Sequence, residues 1–576
     1  MAWPWAWAAG WPARALPSGR TRGAASRPDC DCLPERPNIP ENRTMTLLST
    51  RRGIMQTTLA GMATAAVAPL PRAQAQGTGQ KRTLKAVMHA TLGVLDPYAT
   101  TAYITRNHGY LVYDTLFAMD DQMRPQPQMV RDWTLSDDKL TYTFRLRPGL
   151  VFHDGAPVTA ADCVASLTRW WKRDLMGTRL MNATQTLEAV DAQSFRLVLK
   201  HPYGLVLETL GKPGGPVPFI LPARLVQIPE DQRITEVVGS GPFRFIAGEY
   251  RSGDRVVYEK FEGYVPRQEP ASGLAGGKVV HFDRLEWLEI SDVQTAASAL
   301  QTGEIQVMEN VSAEMMELLK RDRRVVLRPR GIGNSLLMRL NWLNAPFDNK
   351  LVRQAVLNAV SQPDYLAAQV GDDSLTQPCK AFFTCASPYA TDVGAPAGQN
   401  LDRARQLLKE GGYNGEKVVI LHPADLASGS ALAPVTEQLL KSIGMNVQVD
   451  SMDWNSLLAR RARPAPIAEG GWSIAWGIWS DLDLMSPIIN LNVDGRGRRG
   501  YVGWAESAEM EKLRDAFALE PDQGKQMQLV EQMQRLAYDD VFAIPLGSYK
   551  VVSAHRDSVK DVVAHQLIVF WNMKMT

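Results

Sequence analysis

The stretch LTYTFRLRPGLVFHDGAPVTAADCVASLTRW, Leu140 to Trp170, constrains the fold more tightly than any other part of this 576-residue chain. Tyr142, Phe144 and Leu146 point one way, with Thr143, Arg145 and Arg147 the other, the period of a half-buried strand. Arg147-Pro148-Gly149 turns that strand, Val151-Phe152 returns, and Asp154-Gly155 supplies the next tight turn. Thr159-Ala160-Ala161-Asp162 then opens a helix. Thr159 caps the free N–H groups, and Asp162 sits in the first turn, where the helix dipole favours a negative charge by about 0.3–1 kcal/mol. Val164, Leu167 and Trp171 are expected to share the inward face of that helix. The stretch also holds His153, two Asp and Cys163, residue types that serve catalytic centres. Each has a structural task here, so the segment reads as scaffold and not as an active site.

Downstream, helix and strand alternate, which favours an α/β architecture. Helices are predicted from Ser312, from Leu401 to a stop at Gly411-Gly412, from Ser507 with Met510, Leu513 and Phe517 at helical spacing, and through Gln523–Asp540 with Val530, Met533 and Ala537. Strands are predicted at Leu84–His89 and at 417–421, 445–450 and 542–552. The Gly495-x-Gly497-x-x-Gly500 pattern fits a dinucleotide fingerprint by letters only. It lacks the strand–turn–helix context, so it reads as a basic loop, with Arg496, Arg498 and Arg499 as weaker candidates for a ligand carboxylate.

The stretch 49–76 carries the features of an export signal. Arg51-Arg52 precede a mildly apolar stretch of about 15 residues, too short to span a membrane, and small residues stand before a cut after Ala75. The paired arginines resemble a twin-arginine signal. Met45 opens this signal, 45–75, and residues 1–44 read as an upstream start or a disordered extension. Formal net charge is +2, but without residues 1–75 the 63 basic and 61 acidic residues become 54 and 57, a net of −3. That balance gives no electrostatic case for nucleic acid. Of the five Cys, Cys379 and Cys385 are candidates for a disulfide in an oxidising compartment, with Cys163 a buried thiol. The His are scattered, no metal cluster is visible, and no cofactor is expected.

Five segments in order carry a family resemblance: YLVYDTLFAMD with the stretch from Gln126 through Trp170; GSGPFRFI at 239–246 with RVVYEKFEGYV; LNWLNAPFDNKLVRQAVLNAVS at 340–361; LDRARQLLKEGGYN; and YDDVFAIPLGSY. Together they span most of residues 83–576. The chain resembles the peptide-class (family 5) extracytoplasmic solute-binding proteins of ABC importers. The resemblance implies a two-lobed, hinge-closing α/β clamp of the type II kind, with an extra subdomain inserted in the first lobe. Carried over, the first lobe is 83–118 with 237–332 and 546–576, the extra subdomain 119–236, and the second lobe 333–545. It also implies a monomeric, non-enzymatic periplasmic protein that passes peptides to an inner-membrane permease and its ATPase subunits. A nickel chelate, haem, an opine or an oligosaccharide is the alternative ligand. An exported hydrolase is disfavoured, because no Gly-x-Ser-x-Gly, His-Glu-x-x-His or supported Ser-x-x-Lys occurs.

In peptide-binding relatives, an acidic residue four before a proline in a Trp-containing loop holds the ligand's α-ammonium. Here that loop is GGWSIAWGIWSDLDLMSPIINL, and counting back from Pro487 gives Asp483, with Asp481 as its rival. Trp472, Trp476 and Trp479 are candidate pocket walls. By the same resemblance Asn341 and Trp342 mark a cleft-edge segment, and Gly239-Ser240-Gly241 a crossover loop.

Overall fold

The computed structural model describes residues 82–576, apart from residues 230, 332 and 425–428. The 1–44 extension, the 45–75 signal and its cut after Ala75 lie outside the described residues.

Two large sheets organise the chain. The first has seven strands, in the order Phe243–Phe245, Arg255–Lys260, Arg284–Leu288, Thr83–Val87, Val307–Met308, Val552–Arg556 and Val325–Pro329. Thr83–Val87 runs parallel to both of its neighbours. The second has six strands: Thr376–Gln377, Ile544–Tyr549, Asn334–Leu340, Ile474–Ser480, Lys417–Pro423 and Asn446–Met452. The chain passes between the sheets twice. It leaves Pro329 and enters Asn334, and it leaves Tyr549 and enters Val552. Two short linkers therefore join two bodies, the layout of a two-lobed clamp. Gly333 in the first linker has φ +117°, and a Cβ there would stand 2.8 Å from the Tyr549 carbonyl in the second, so the position admits only glycine.

The second linker corrects an expectation. Residues 542–552 read as one strand, but they form the end of one strand and the beginning of another in a different sheet. The expected second lobe stops at 545, inside Ile544–Tyr549, a strand of the six-stranded sheet. The sheet change comes at 550–551 instead.

A four-stranded antiparallel sheet holds the opening stretch, in the order Val130–Leu135, Thr141–Leu146, Ser194–Leu199, Thr184–Ala189. Tyr142, Phe144 and Leu146 face inward, and Phe144 stacks on Phe195 with ring centroids 5.0 Å apart. Each such side chain, fully buried, contributes about 1.5–3 kcal/mol. The helix Ala160–Trp170 starts with a full capping box: Asp162 N donates to Thr159 Oγ1 at 3.4 Å and Thr159 N to Asp162 Oδ2 at 2.8 Å. Leu167 and Trp171 are buried as expected, together with Cys163, Ser166 and Trp170, while Val164 is only half-buried. Ser166 Oγ and Trp170 Nε1 reach interior carbonyls of Leu221 and Pro216 at 3.0 and 2.9 Å. Burial pushes the Cys163 thiol pKa well up, which keeps it protonated.

His153 ties this sheet to the rest. Its Nδ1 accepts from Gly239 N–H at 3.3 Å, which leaves Nε2–H facing the Gly241 carbonyl at 3.1 Å. Burial lowers its pKa to about 4, so it is a neutral clip. Cys379 and Cys385 are joined by a disulfide.

Candidate functional site

The strands Lys417–Pro423 and Ile474–Ser480 of the six-stranded sheet wall a cavity of about 390 Å³. That is within the range of small-molecule sites. Trp476, Trp479 and Tyr501 supply aromatic faces, Arg461 a charge, and Tyr103 closes it from the helix Tyr103–Val112. Both tryptophan Nε1 atoms are buried with no hydrogen-bond partner among the described residues. Trp479 meets Tyr501 edge-on at 5.6 Å, and the Arg339 guanidinium lies 5.0 Å from the Tyr501 ring centre. Asp494, itself fully buried, fixes the loop behind: it accepts from Tyr501 N–H at 2.9 Å and from Arg496 at 2.7 and 2.8 Å. The 495–500 glycine pattern is therefore a tethered turn. Arg496 is engaged with Asp494, while Arg498 and Arg499 are exposed.

The two carboxylates of the Trp-containing loop stand next to this cavity in different environments. Asp483 is half-buried and accepts from the Tyr103 hydroxyl, which also receives Ser480 N–H at 3.4 Å. Ser480 and Tyr103 both line the cavity, and Asp483, outside that lining, reaches it through the Tyr103 hydroxyl. Asp481 is sealed. Ser335 Oγ donates to its Oδ1 at 2.6 Å, and Ser548 Oγ is 2.9 Å from Ser335 Oγ. Burial pushes the Asp481 carboxyl up to about 6; the Ser335 hydrogen bond opposes that rise and neighbouring Asp483 adds to it.

The remaining sequence candidates lie elsewhere. Trp472 is in the core, its Nε1 donating to Arg461 O at 3.0 Å and its ring 5.9 Å from that of Trp504. Asn341 is fully buried and donates to Trp472 O at 2.8 Å. Trp342 packs under Arg353, whose guanidinium is 3.6 Å from the ring centre. Gly239 and Gly241 press on the end of the Tyr103–Val112 helix, where added Cβ atoms would meet Val112 O at 2.0 Å and Leu111 O at 2.6 Å; Ser240 lies between them, buried. None of these six lines the cavity, and neither does Asp481 or Asp483 itself. Sequence reasoning missed Tyr103, Tyr501 and Arg461. Tyr103 reads locally as an ordinary helix start, and no nearby residue announces its partner 380 positions away.

Residues 124–488 match the family described as bacterial extracellular solute-binding proteins, family 5 Middle. The chain is 36% identical over 530 residues, 91% of its length and 99% of the relative's, to the probable peptide ABC transporter periplasmic-binding protein y4tO of Sinorhizobium fredii. The chain belongs to the family 5 solute-binding proteins. It is also 30% identical over 383 residues, covering 63% of this chain and 68% of the relative, to the glutathione-binding protein GsiB of Pectobacterium atrosepticum. The ABC transporter substrate-binding protein CtaP of Listeria monocytogenes shares its fold, with a TM-score of 0.73 and 21% identity over 86% of this chain and 100% of that one. In family 5 terms the fold is a two-lobed α/β clamp, and the Tyr103–Asp483 contact joins residues 380 positions apart.

Gly214 reports on that contact. A Cβ at this position would stand 2.7 Å from Asp483 Oδ1. Its loop is held by Lys212, which pairs with Asp174 and donates to Pro216 O at 3.2 Å. Gly214→Ala is expected to displace the carboxylate and weaken solute retention about 2- to 10-fold, the cost of a strained side chain, with thermal unfolding unchanged. Unchanged retention, measured by native mass spectrometry, would separate Asp483 from the ligand.

Proposed function

We propose that this chain captures a short peptide or peptide-like solute between its lobes and delivers it, as a non-catalytic monomer, to an inner-membrane ABC permease with its ATPase subunits. The observation that carries this reading is a carboxylate, Asp483, bonded to the Tyr103 hydroxyl of a cavity walled by Trp476 and Trp479. An ammonium group is held at the charged edge and apolar side chains are covered by the indoles. Two relatives fit the same class: one bears a peptide transporter's name and the other is named for glutathione, itself a small peptide. In this reading Asp483 holds the ammonium and Asp481 tunes it. Trp472, Asn341, Trp342 and Gly239–Gly241 act as supports behind the wall. The first lobe comprises 83–118, 237–332 and the chain after the return linker, the extra subdomain 119–236, and the second lobe the chain between the linkers. Export follows the twin-arginine signal to the periplasm, with cleavage after Ala75.

Native mass spectrometry of protein purified from the periplasm without refolding tests the reading. The expected result is a set of bound masses that sequence as short peptides. Asp483→Ala is expected to weaken their retention about 10- to 150-fold, the value of a charged hydrogen bond of about 1.5–3 kcal/mol. A single non-peptide mass would overturn the peptide assignment, and unchanged retention would overturn the role of Asp483.

A further inference from the structure

The inserted stretch 119–236 is anchored to the first body and also touches the second. Its ties to the first body are buried or half-buried. Arg267 Nη1 donates to Gln128 O at 3.1 Å and to Val130 O at 2.9 Å, and Ile234 N–H donates to Asp96 Oδ2 at 2.9 Å. His153 clips the stretch again to Gly239 and Gly241. On the lobe boundaries proposed above, it therefore moves with the first lobe. Its contact with the second lobe is at the end of the helix Ala508–Leu519. There Ala518 O, one of the last carbonyls that a helix leaves without an internal partner, accepts from Gly204 N–H at 3.1 Å. Arg179 pairs with Asp515 on the same helix and stands 4.0 Å from Glu511. The negative end of the helix favours a cation at that place.

This second contact is built to part. The Asp515 side chain is 63% exposed and that of Arg179 27%, so solvent screens the pair and separating it costs little. Between the two surfaces lies a cavity of about 300 Å³, with Arg179, His201 and Tyr203 on one side and Asp515, Ala518 and Leu519 on the other. A contact that never opens is packed without a space of that size. Gly204 lets the surfaces meet. Its φ lies outside the left-handed region, so its own backbone does not demand glycine. The demand comes from the other side: the atoms nearest to a Cβ there are Glu520 O at 2.0 Å, Glu520 C at 2.6 Å and Pro521 Cα at 3.1 Å.

We propose that the inserted subdomain is a latch for the clamp. Arg179 and Gly204 engage the end of the helix Ala508–Leu519 when the lobes shut and release it when they part. The hinge lies in the two linkers, so a contact between the lobes made elsewhere must break for the clamp to open. Neither Arg179 nor Gly204 lines the cavity walled by Trp476 and Trp479, so the latch acts on the motion and not on the solute. An exposed ion pair shifts the balance toward the shut state only a few-fold, which slows release without preventing it. The inference rests on the clamp motion of the proposed function and not on the solute being a peptide.

The experiment uses the exported chain as purified and reads amide hydrogen exchange at Gly204, with the radius of gyration from small-angle X-ray scattering. Neither readout requires the solute to be identified, so a chain that carries no peptide fails the peptide reading and still tests the latch. In the wild type the Gly204 amide is expected to exchange more slowly than an exposed amide but faster than the amides of Thr141–Leu146, as a contact that opens without unfolding does. Exchange at the rate of an exposed amide, or only together with that strand, overturns the latch, and neither outcome needs a variant to fold. Arg179→Glu sets a carboxylate against Asp515 and is expected to speed the exchange about 3- to 30-fold, with Asp515→Arg in the same chain restoring the slow rate. Gly204→Ala is expected to enlarge the radius of gyration while the Tm after dialysis stays that of the wild type, because the opened chain has room for the methyl group. Exchange unchanged by Arg179→Glu overturns the proposal. So does an unchanged radius in Gly204→Ala, and so does a lowered Tm, which would make the contact a permanent part of the fold.

Discussion

Lys278→Met is expected to remove about 3–5 kcal/mol of stability, the cost of breaking one side of a buried ion pair. Lys278 Nζ lies 2.7 Å from Asp114 Oδ1, and both side chains are essentially fully buried. Asp114 also accepts from Tyr264 Oη at 3.0 Å and from Thr115 N–H at 3.0 Å, and the Lys278 ammonium sits 5.0 Å from the centre of the Trp571 indole. Residues 114–115, 264, 278 and 571 therefore meet on one charge pair. Removing the cation strands Asp114 among apolar walls, where neither hydroxyl nor amide replaces a full positive charge. The double variant Asp114→Asn/Lys278→Met is expected to recover much of the loss, since the stranded charge goes with its partner. Urea unfolding followed by far-UV circular dichroism measures both. A loss below about 1 kcal/mol in the single variant would mean that water reaches the pair.

Asp481→Asn is expected to act the other way. Its carboxyl pKa is raised to about 6 in the folded chain, chiefly by burial. The folded state therefore holds the proton more tightly than the unfolded state. The stability this lends is fully present below about pH 4 and is lost as pH rises through about 6. Above that, a buried carboxylate costs roughly 3 kcal/mol, about two pK units. Asn carries no charge and its oxygen still accepts from Ser335. The variant should thus match the wild type near pH 4 and exceed it by up to about 3 kcal/mol at pH 7.5, as read by thermal unfolding across pH. A constant difference at every pH would show that Asp481 keeps an ordinary carboxyl. A cationic solute beside Asp481 would restore the balance, so ligand should stabilise the wild type more than the variant at neutral pH.

Local features were legible in the sequence because they are decided by neighbours. The alternation of Thr141–Leu146 and the Thr159–Asp162 box depend on residues within a turn or two, and both form as the pattern requires. The helix starting after Ser507 behaves likewise, with Met510, Leu513 and Phe517 buried. What failed was whatever distant chain decides. The burial of Ser166 and Trp170 in Ala160–Trp170, which the pattern did not call for, goes with carbonyls some 50 residues away. Residues 542–552 looked continuous because period-two patterning is blind to a change of sheet. Trp472, Trp476 and Trp479 are equivalent by residue type, and only the pairing of Ile474–Ser480 with Asn334–Leu340 sets which indoles meet the cavity. Asp481 and Asp483 are two residues apart, yet one is sealed by Ser335 and Ser548 and the other takes Tyr103. Tyr103 itself carries no local signal at all.

The sheet order has a consequence for how the chain is made. Val552–Arg556 is an interior strand of the seven-stranded sheet, filling the place between Val307–Met308 and Val325–Pro329. Thr83–Val87, at the other end of the described chain, reaches it only through Val307–Met308. During synthesis this sheet therefore stands open, with exposed strand edges, until residues 552–556 leave the ribosome. The six-stranded sheet, by contrast, is complete once residue 549 emerges. The body that begins first finishes last, so the nascent chain spends most of its translation needing protection from edge-to-edge association.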